Sequence, residues 1–393
     1  MMTTTKTKIL LPVLFSFFIV SFVDLVGTGV DELKQSAETP AYLLQLIPFV
    51  AFIWFFLLSV PAGIWQAKVG KKKVLNTSIL ITAAGLFIPV LGNSLAVILI
   101  SFSFLGIGNT IMQVAANPLL MDVVPADKGS GFLSFSQFMK SLGSMVGPYV
   151  AAVVGPSLAG RLGFEGEGAW RFGLYLFGII AFASYVWLQI TDIEETKSKG
   201  AQVSFKSCIQ LLSNRYIALM VLGIFAIVGV DVAINSNIGT FLHLKIGMGE
   251  ETAKYGKSVY FFAKMVGTFM GGVLLMKGNA KVFLRISTLV ALVFVGALTL
   301  VQNDIAAWIL VGIVSLGVSN VFPLIFSITV GNFPDRSNEI SGLMMMAISG
   351  GAIFPFLVGL AMNYNVNGGL WIIGGLMAFI LILSVVKVNP RVQ

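Results

Sequence analysis

Apolar runs of about twenty residues, each closed by a short polar stretch, recur along the whole chain. A helix rises about 1.5 Å per residue, so roughly 20 residues cross a bilayer core of about 30 Å. Segments of that length fall at Ile9–Val30, Ala41–Trp65, Val74–Leu91, Leu95–Met121, Gly131–Val154 and Trp170–Ile190. Six more fall at Tyr216–Phe241, Ser258–Met276, Val282–Val301, Ile305–Val330, Ile340–Met362 and Gly369–Val388. The pattern predicts an all-α membrane protein with twelve transmembrane helices. Lys6 and Lys8 precede the first run as they would in a secretory leader, but the run is too long and lacks a small-residue cleavage site. It reads as a first span that is retained.

The longest polar stretch, Thr191–Asn214, divides six spans from six and sets the expected domains at 1–190, a linker at 191–214, and 215–393. Within the linker, Phe205, Cys208, Ile209 and Leu212 are spaced as one face of a short helix lying on the membrane surface. Most of the 25 Lys and Arg residues sit in the segments on the side of the N-terminus, the linker and the C-terminus. Lys34, Arg161, Arg171, Lys245, Lys254 and Lys257 are the ones assigned to the other side. By the positive-inside rule, both termini are expected in the cytoplasm and the protein in the inner membrane. Trp65, Trp170, Trp187, Trp308 and Trp371 lie near span ends, where amphipathic rings favour the interface; Trp54 is central.

The two halves echo each other. Phe18-x4-Val23-Asp24 in span 1 matches Phe225-x4-Val230-Asp231 in span 7. Leu105-Gly106-x2-Asn109 in span 4 matches Leu316-Gly317-x2-Asn320 in span 10. Span 5 begins Ser130-Gly131 and carries Gly143-x4-Pro148; span 11 begins Ser341-Gly342 and carries Gly350-x4-Pro355. Matches in helix order predict two pseudo-symmetric six-helix halves, an architecture in which one half rocks against the other around a midplane site.

Composition narrows the chemistry. Of 393 residues, 57% are hydrophobic and 11% charged, too few charges for a soluble domain. One cysteine, Cys208, excludes an internal disulfide, and one histidine, His243, leaves no basis for a metal centre, so no metal or cofactor is expected. The net charge of +8 could suggest nucleic acid, but the basic residues cluster at span ends, so the bilayer is the expected partner and nucleic acid is not. Nothing indicates oligomerisation, and a monomer is expected.

The segment Pro61-Ala-Gly63-x4-Lys68-x-Gly70-Lys71-Lys72-Lys73 resembles the loop signature of the major facilitator superfamily, with Ala67 where most members have aspartate. That departure, with Gln113-Val-Ala-Ala-Asn117-Pro118 in span 4, resembles the fucose permease branch of sugar:proton symporters, which has Glu-Thr-Ala-Ala-Asn-Pro there. Gln137-x2-Lys140 stands where the branch has Gln-x2-Asn, and Lys264-x2-Gly267 where it has Arg-x2-Gly. The resemblance implies a major facilitator fold in which Gly63, Lys68, Gly70 and Lys71 form the conformational loop. It also puts proton coupling by the branch's route in question, because its span 4 glutamate is Gln113 here and its span 1 aspartate falls on Gly27.

An ionisable side chain at the bilayer centre costs about 3 kcal/mol and should face protein or water. Asp24, Lys140, Asp231 and Lys264 lie well inside spans. They are expected either to form ion pairs or to handle protons and solute, with Lys140 the midplane candidate for substrate and Asp24, Asp231 and Lys264 the coupling or ion-pair candidates. If Asp24 and Lys140 pair, a neutral solute fits; if Lys140 is unpaired, its ammonium awaits an anion. Gln113, Asn117, Gln137, Asn235 and Asn320 offer amides suited to a hydroxylated ligand, although amides also bond helices together. Gly143-x3-Gly147 and Gly267-x3-Gly271 would allow helices 5 and 8 to approach closely, as facing surfaces or in ordinary packing. The expected function is a secondary transporter moving a small polar solute, a sugar or sugar-like compound, with protons, by alternating access. The alternatives are an exporter of amphiphilic compounds, a carrier of an anionic sugar acid, and, outside transport, a membrane receptor or enzyme. One His and one Cys argue against an enzyme, and the short loops argue against a receptor module.

Overall fold

The computed structural model describes residues 4–26, 29, 46–92, 94–164, 168–195 and 204–386. Gly27, Lys34, the linker residues 196–203 and the C-terminal Lys387 and Arg391 lie outside them. Ordered structure among the described residues is helical throughout. The membrane helices are α1 (Thr4–Val20), α2 (Leu46–Val69), α3 (Lys71–Phe87), α4 (Leu95–Val123), α5 (Gly129–Tyr149) and α6 (Arg171–Ile190). After them come α7 (Arg215–Phe241), α8 (Glu250–Leu274), α9 (Ala280–Leu298), α10 (Asp304–Val318, resuming as Val321–Asn332), α11 (Ser337–Met346, resuming as Gly350–Tyr364) and α12 (Gly368–Leu383). Ten of the described helices are long and apolar enough to cross a membrane by length and composition, and Gly368–Leu383 is a shorter apolar helix. The exception is α8, 25 residues long but interrupted by Lys257, Lys264 and Thr268.

Proline and small polar residues explain where helices lose regularity, because proline removes a backbone donor and clashes with the preceding turn. Past Pro148, α5 winds into a π-turn at Val150–Val154 before resuming as Gly155–Arg161. A break at Ser319 and Asn320 precedes Pro323 in α10, and a 3-10 turn at Ala347–Ser349 precedes Pro355 in α11. In contrast, α4 runs unbroken through Pro118. Such irregular backbone is tolerated at membrane depth only against protein or water.

The chain divides into two compact units, one of Met1–Val124 with Met139–Phe205, the other of Pro125–Phe138 with Lys206–Gln393. In the first, α4 packs against α1, α2 and α3, and α3 against α6. In the second, α7 packs against α11, α8 and α12, and α10 against α8 and α9. The first turns of α5 belong to the second unit, where Gly131 lies against the backbone of Gly272 and Leu275, and Phe135 and Phe138 meet Phe269.

The repeated motifs form the same contact in each unit. At Gly143 a side chain would run into Ser21 Oγ and come within 3.0 Å of Phe18 O, so α5 lies directly on α1. At Gly350 it would run into Phe225 O, so α11 lies directly on α7. Phe18 and Phe225 are the matched residues of the repeat, as are Gly143 and Gly350. The two glycine strips are therefore used inside the units: Gly147 packs on Leu25, while Gly267 and Gly271 pack on Ser319 and Asn320 of α10. The expected approach of helices 5 and 8 through those strips is made instead by Gly131 and Gly272.

The linker does form a short helix, Phe205–Leu211. Cys208 is buried, whereas Phe205 and Ile209 are exposed, an arrangement suited to an interfacial position. Burial pushes the Cys208 thiol up to about 11; Glu339 adds to the shift, while Arg336 and a hydrogen bond from Ser207 oppose it.

Two outcomes follow from this packing. Gly350→Ala should destabilise the purified protein by about 1–3 kcal/mol, because the added methyl meets backbone that cannot move aside. Gly375→Ala, at a position with open space around it, should leave the thermal midpoint unchanged or slightly raised. Alkylation of Cys208 should be very slow at neutral pH and should keep rising past pH 9, since only the thiolate reacts; a rate that levels off near pH 9 would contradict the burial.

Candidate functional site

In the first unit, polar side chains gather around one turn of α1. Asn109 on α4 donates its amide N–H to Val20 O at 2.5 Å, and Gln113, one turn on, donates to Asn109 Oδ1 at 2.6 Å. Asn117 donates to Gln113 O at 2.7 Å within the same helix and is buried. The i, i+4, i+8 spacing of Asn109, Gln113 and Asn117 puts them on one face, and each bond satisfies a donor that the membrane interior would otherwise leave bare. Gln113 retains its amide oxygen, which accepts no bond from a described residue.

Just beyond Val20, α1 tightens into a 3-10 turn at Ser21–Leu25 that carries Asp24. Gly143 brings α5 onto that turn, and Ser144, the next residue, donates its hydroxyl to Asp24 Oδ2 at 2.5 Å. Lys140 lies one turn earlier on the same face of α5, roughly 16 Å along from the start of the helix at 1.5 Å per residue. It is half-buried, and among the described residues its Nζ makes neither a hydrogen bond nor an ion pair. Asp24 and Lys140, candidates for a pair from sequence, make no ion pair with each other; Asp24 bonds Ser144, one turn from Lys140.

In the second unit, Asp231 on α7 is held by two groups of α8. Lys264 Nζ lies 2.6 Å from its Oδ2, and Tyr260 donates its hydroxyl to Oδ1 at 2.7 Å. Tyr260 is fully buried, and the acid and the lysine are about a quarter exposed. Asn320, in the break of α10, donates to Gly267 O at 2.8 Å and to Ser319 Oγ at 2.9 Å, and Gly271 leaves the space it occupies. Asn320 is thus a buried clasp between α10 and α8, whereas its repeat partner Asn109 ties α4 to α1. Asn235 is half-buried, and its amide oxygen is buried without a bond to a described residue. Gln137 is half-buried on α5.

The loop signature forms a charged knot within the first unit. Gly70 has φ +98°, a conformation that side chains other than glycine rarely adopt, and a Cβ there would come 3.1 Å from the Glu195 carboxylate. That carboxylate, in the segment after α6, accepts the backbone N–H groups of Lys71 and Lys72, the latter at 3.0 Å. The first turn of a helix leaves its N–H groups unpaired and carries partial positive charge, so an acid there satisfies both. Lys71 Nζ is buried against Asp122 Oδ2 at 2.6 Å, at the end of α4. Lys72 Nζ reaches Gln189 O at 3.2 Å, and Asn76 Nδ2 bonds Gln189 Oε1 at 2.5 Å, which ties α3 to the end of α6. Gly63 is buried in α2, and Lys68 is exposed and stands apart from the knot.

Sequence reasoning passed over Asp122, Glu195 and Tyr260. Tyr260 could have been found from its i, i+4 spacing to Lys264. Asp122 follows directly on the predicted end of span 4, next in line to pair with a loop lysine. Glu195 carried no such signal, since its partner lies 124 residues away.

Comparison with known proteins agrees with this architecture. The family model of the Major Facilitator Superfamily matches residues 10–355. A glucose/galactose transporter of Brucella abortus is 28% identical over 354 residues, covering 87% of this chain and 84% of its own. A putative glucose/galactose transporter of Helicobacter pylori is 26% identical over 373 residues, covering 91% and 90%. Among solved structures, the E. coli fucose:proton symporter matches with a TM-score of 0.80 at 19% identity, covering 95% of this chain and 97% of its own. A proton:xylose symporter bound to 6-bromo-6-deoxy-D-glucose matches with a TM-score of 0.72 at 16% identity, over 96% and 95%.

The Asp231–Lys264 contact makes a double-variant cycle informative. Asp231→Asn and Lys264→Met should each lower thermal stability, because each leaves a charge in the membrane without its partner. The double variant should melt closer to the parent than the sum of the single losses. Strict additivity in purified protein would show that the two groups are not coupled.

Proposed function

Because this chain belongs to the Major Facilitator Superfamily, we propose that it is a secondary transporter that moves a sugar or sugar-like solute together with protons by alternating access. What supports this most is the arrangement at Val20 and the Ser21–Leu25 turn, where amides, a hydroxyl and a carboxylate meet in a span that otherwise reads as hydrocarbon, with Lys140 one turn from Ser144 on α5. Sugars are polyols, and directional donors and acceptors in a largely apolar setting are what orient them. An exporter of amphiphilic compounds would instead be expected to show an apolar, aromatic surface at that place. The names of the curated relatives and solved neighbours, glucose/galactose transporters and fucose or xylose proton symporters, point the same way.

For coupling, two carboxylates lie well inside the described spans, Asp24 and Asp231, and Gln113 cannot titrate. Asp231 already has a counter-charge in Lys264, whereas Asp24 is exposed and accepts only a neutral hydroxyl. Asp24 is therefore the preferred proton carrier in this reading. Gln113, with its free amide oxygen, is the preferred hydroxyl acceptor. In this reading both termini lie in the cytoplasm and the protein in the inner membrane, which the charge asymmetry supports. No cofactor, enzymatic step or nucleic-acid partner enters this function, and a monomer suffices for it.

Uptake into proteoliposomes tests the proposal. A panel of hexoses, deoxyhexoses, pentoses and their acids should include at least one solute that accumulates when the outside is made acidic, and a protonophore should abolish the accumulation. Asp24→Asn should lose gradient-driven accumulation while keeping exchange, and Gln113→Leu should weaken solute binding by about tenfold, the worth of one hydrogen bond at the upper neutral range. Failure of every sugar and sugar derivative to enter would overturn the proposal.

A further inference from the structure

We propose that the solute carries one carboxylate, as a hexonate or hexuronate does, and that Lys140 is the group that binds it. This rests on the sugar-transport reading and narrows it.

The described spans contain four charged side chains well inside the membrane, and they are not used alike. Asp231 and Lys264 cancel each other at 2.6 Å, with the Tyr260 hydroxyl on the remaining carboxylate oxygen. Asp24 takes the Ser144 hydroxyl. Lys140 is left with three N–H donors and no acceptor among the described residues. The contrast with Lys71 is informative, since a lysine buried elsewhere in this chain is neutralised by Asp122 at 2.6 Å.

A half-buried ammonium in a membrane helix is costly, and nothing in the packing requires one there. Its neighbours along the same face of α5 are Gly143, Ser144 and Gly147, all in contact with α1. Lys140 therefore continues the face of α5 that turns toward α1. The same turn of α1 is bonded by Asn109, whose amide carries Gln113, so the ammonium and the free Gln113 oxygen border one stretch of α1.

The charge of the ligand follows from the charge of the site. A neutral sugar could accept a hydrogen bond from Lys140 but would leave its charge uncompensated. A phosphate ester, carrying close to two negative charges near neutral pH, would bring an excess charge beside Asp24. A monocarboxylate matches one ammonium, and the hydroxyls of a sugar acid supply donors for Gln113. Charge-assisted hydrogen bonds of this kind are roughly twice as strong as neutral ones.

The test is equilibrium binding to the purified full-length protein in nanodiscs, using glucose, galactose, gluconate, glucuronate, galacturonate and glucose 6-phosphate. At least one hexonate or hexuronate should bind tenfold or more tighter than its neutral parent hexose. Lys140→Met should erase that preference, and Lys140→Arg should keep it. Tightest binding by a neutral hexose, or by the phosphate ester, would overturn the inference and leave the sugar-transport reading intact. If Lys140→Met does not fold, the ranking of ligands by the unaltered protein decides alone. Binding of none of the six, together with failure of the wider uptake panel, would instead remove the sugar-transport reading on which the inference stands.

Discussion

A charged or polar group inside a bilayer is stable only if something answers it, and much of this fold can be read as a set of such answers. Buried donors are taken up within the first unit by the run from Asn117 to Gln113 to Asn109 to Val20 O. In the second unit, Asp231 is answered by Lys264 and Tyr260, and Asn320 by Gly267 O. Against that economy the Lys140 ammonium, which has no partner among the described residues, stands out.

The twelve-helix fold of the superfamily arises from a duplicated six-helix plan, and here the duplication is visible as a repeated contact. Gly143 on the carbonyl of Phe18 and Gly350 on the carbonyl of Phe225 are the same helix crossing made twice. Around that shared scaffold the chemistry has diverged. The turn after Phe18 leads to Asp24, which meets a hydroxyl of α5, whereas the turn after Phe225 leads to Asp231, which turns to α8. Backbone approach is preserved because any side chain at the two glycines would strike main chain. The charges are not bound by that constraint and make different contacts in each unit.

The knot at the start of α3 shows a second use of the same physics outside the hydrocarbon. A carboxylate on the N-terminus of α3, a positive φ at Gly70 and a buried Lys71–Asp122 pair link α3, α4 and the segment after α6. Buried pairs contribute little net stability when whole and are costly when half is removed.

Helix number, approximate span limits, the two-fold repeat and the candidate polar residues were legible in the sequence because each depends on local composition: an apolar run of bilayer length, a glycine repeated at a fixed offset, a charge where hydrocarbon should be. The break in α10 falls one turn before Pro323, where the proline ring leaves no room for the preceding carbonyl. Pairing was not legible. Asp24 and Lys140 are as good a pair in sequence as Asp231 and Lys264, yet only the second pair forms, because contact depends on which helices cross and at what rotation. Tyr260 and Glu195 entered their sites on the same terms, the first through the crossing of α7 and α8, the second across 124 residues of intervening chain. Local composition is enough to put charges in the membrane, but which of them are answered depends on how the helices cross, since an ion pair is a property of a few ångströms between helices and not of spacing along one.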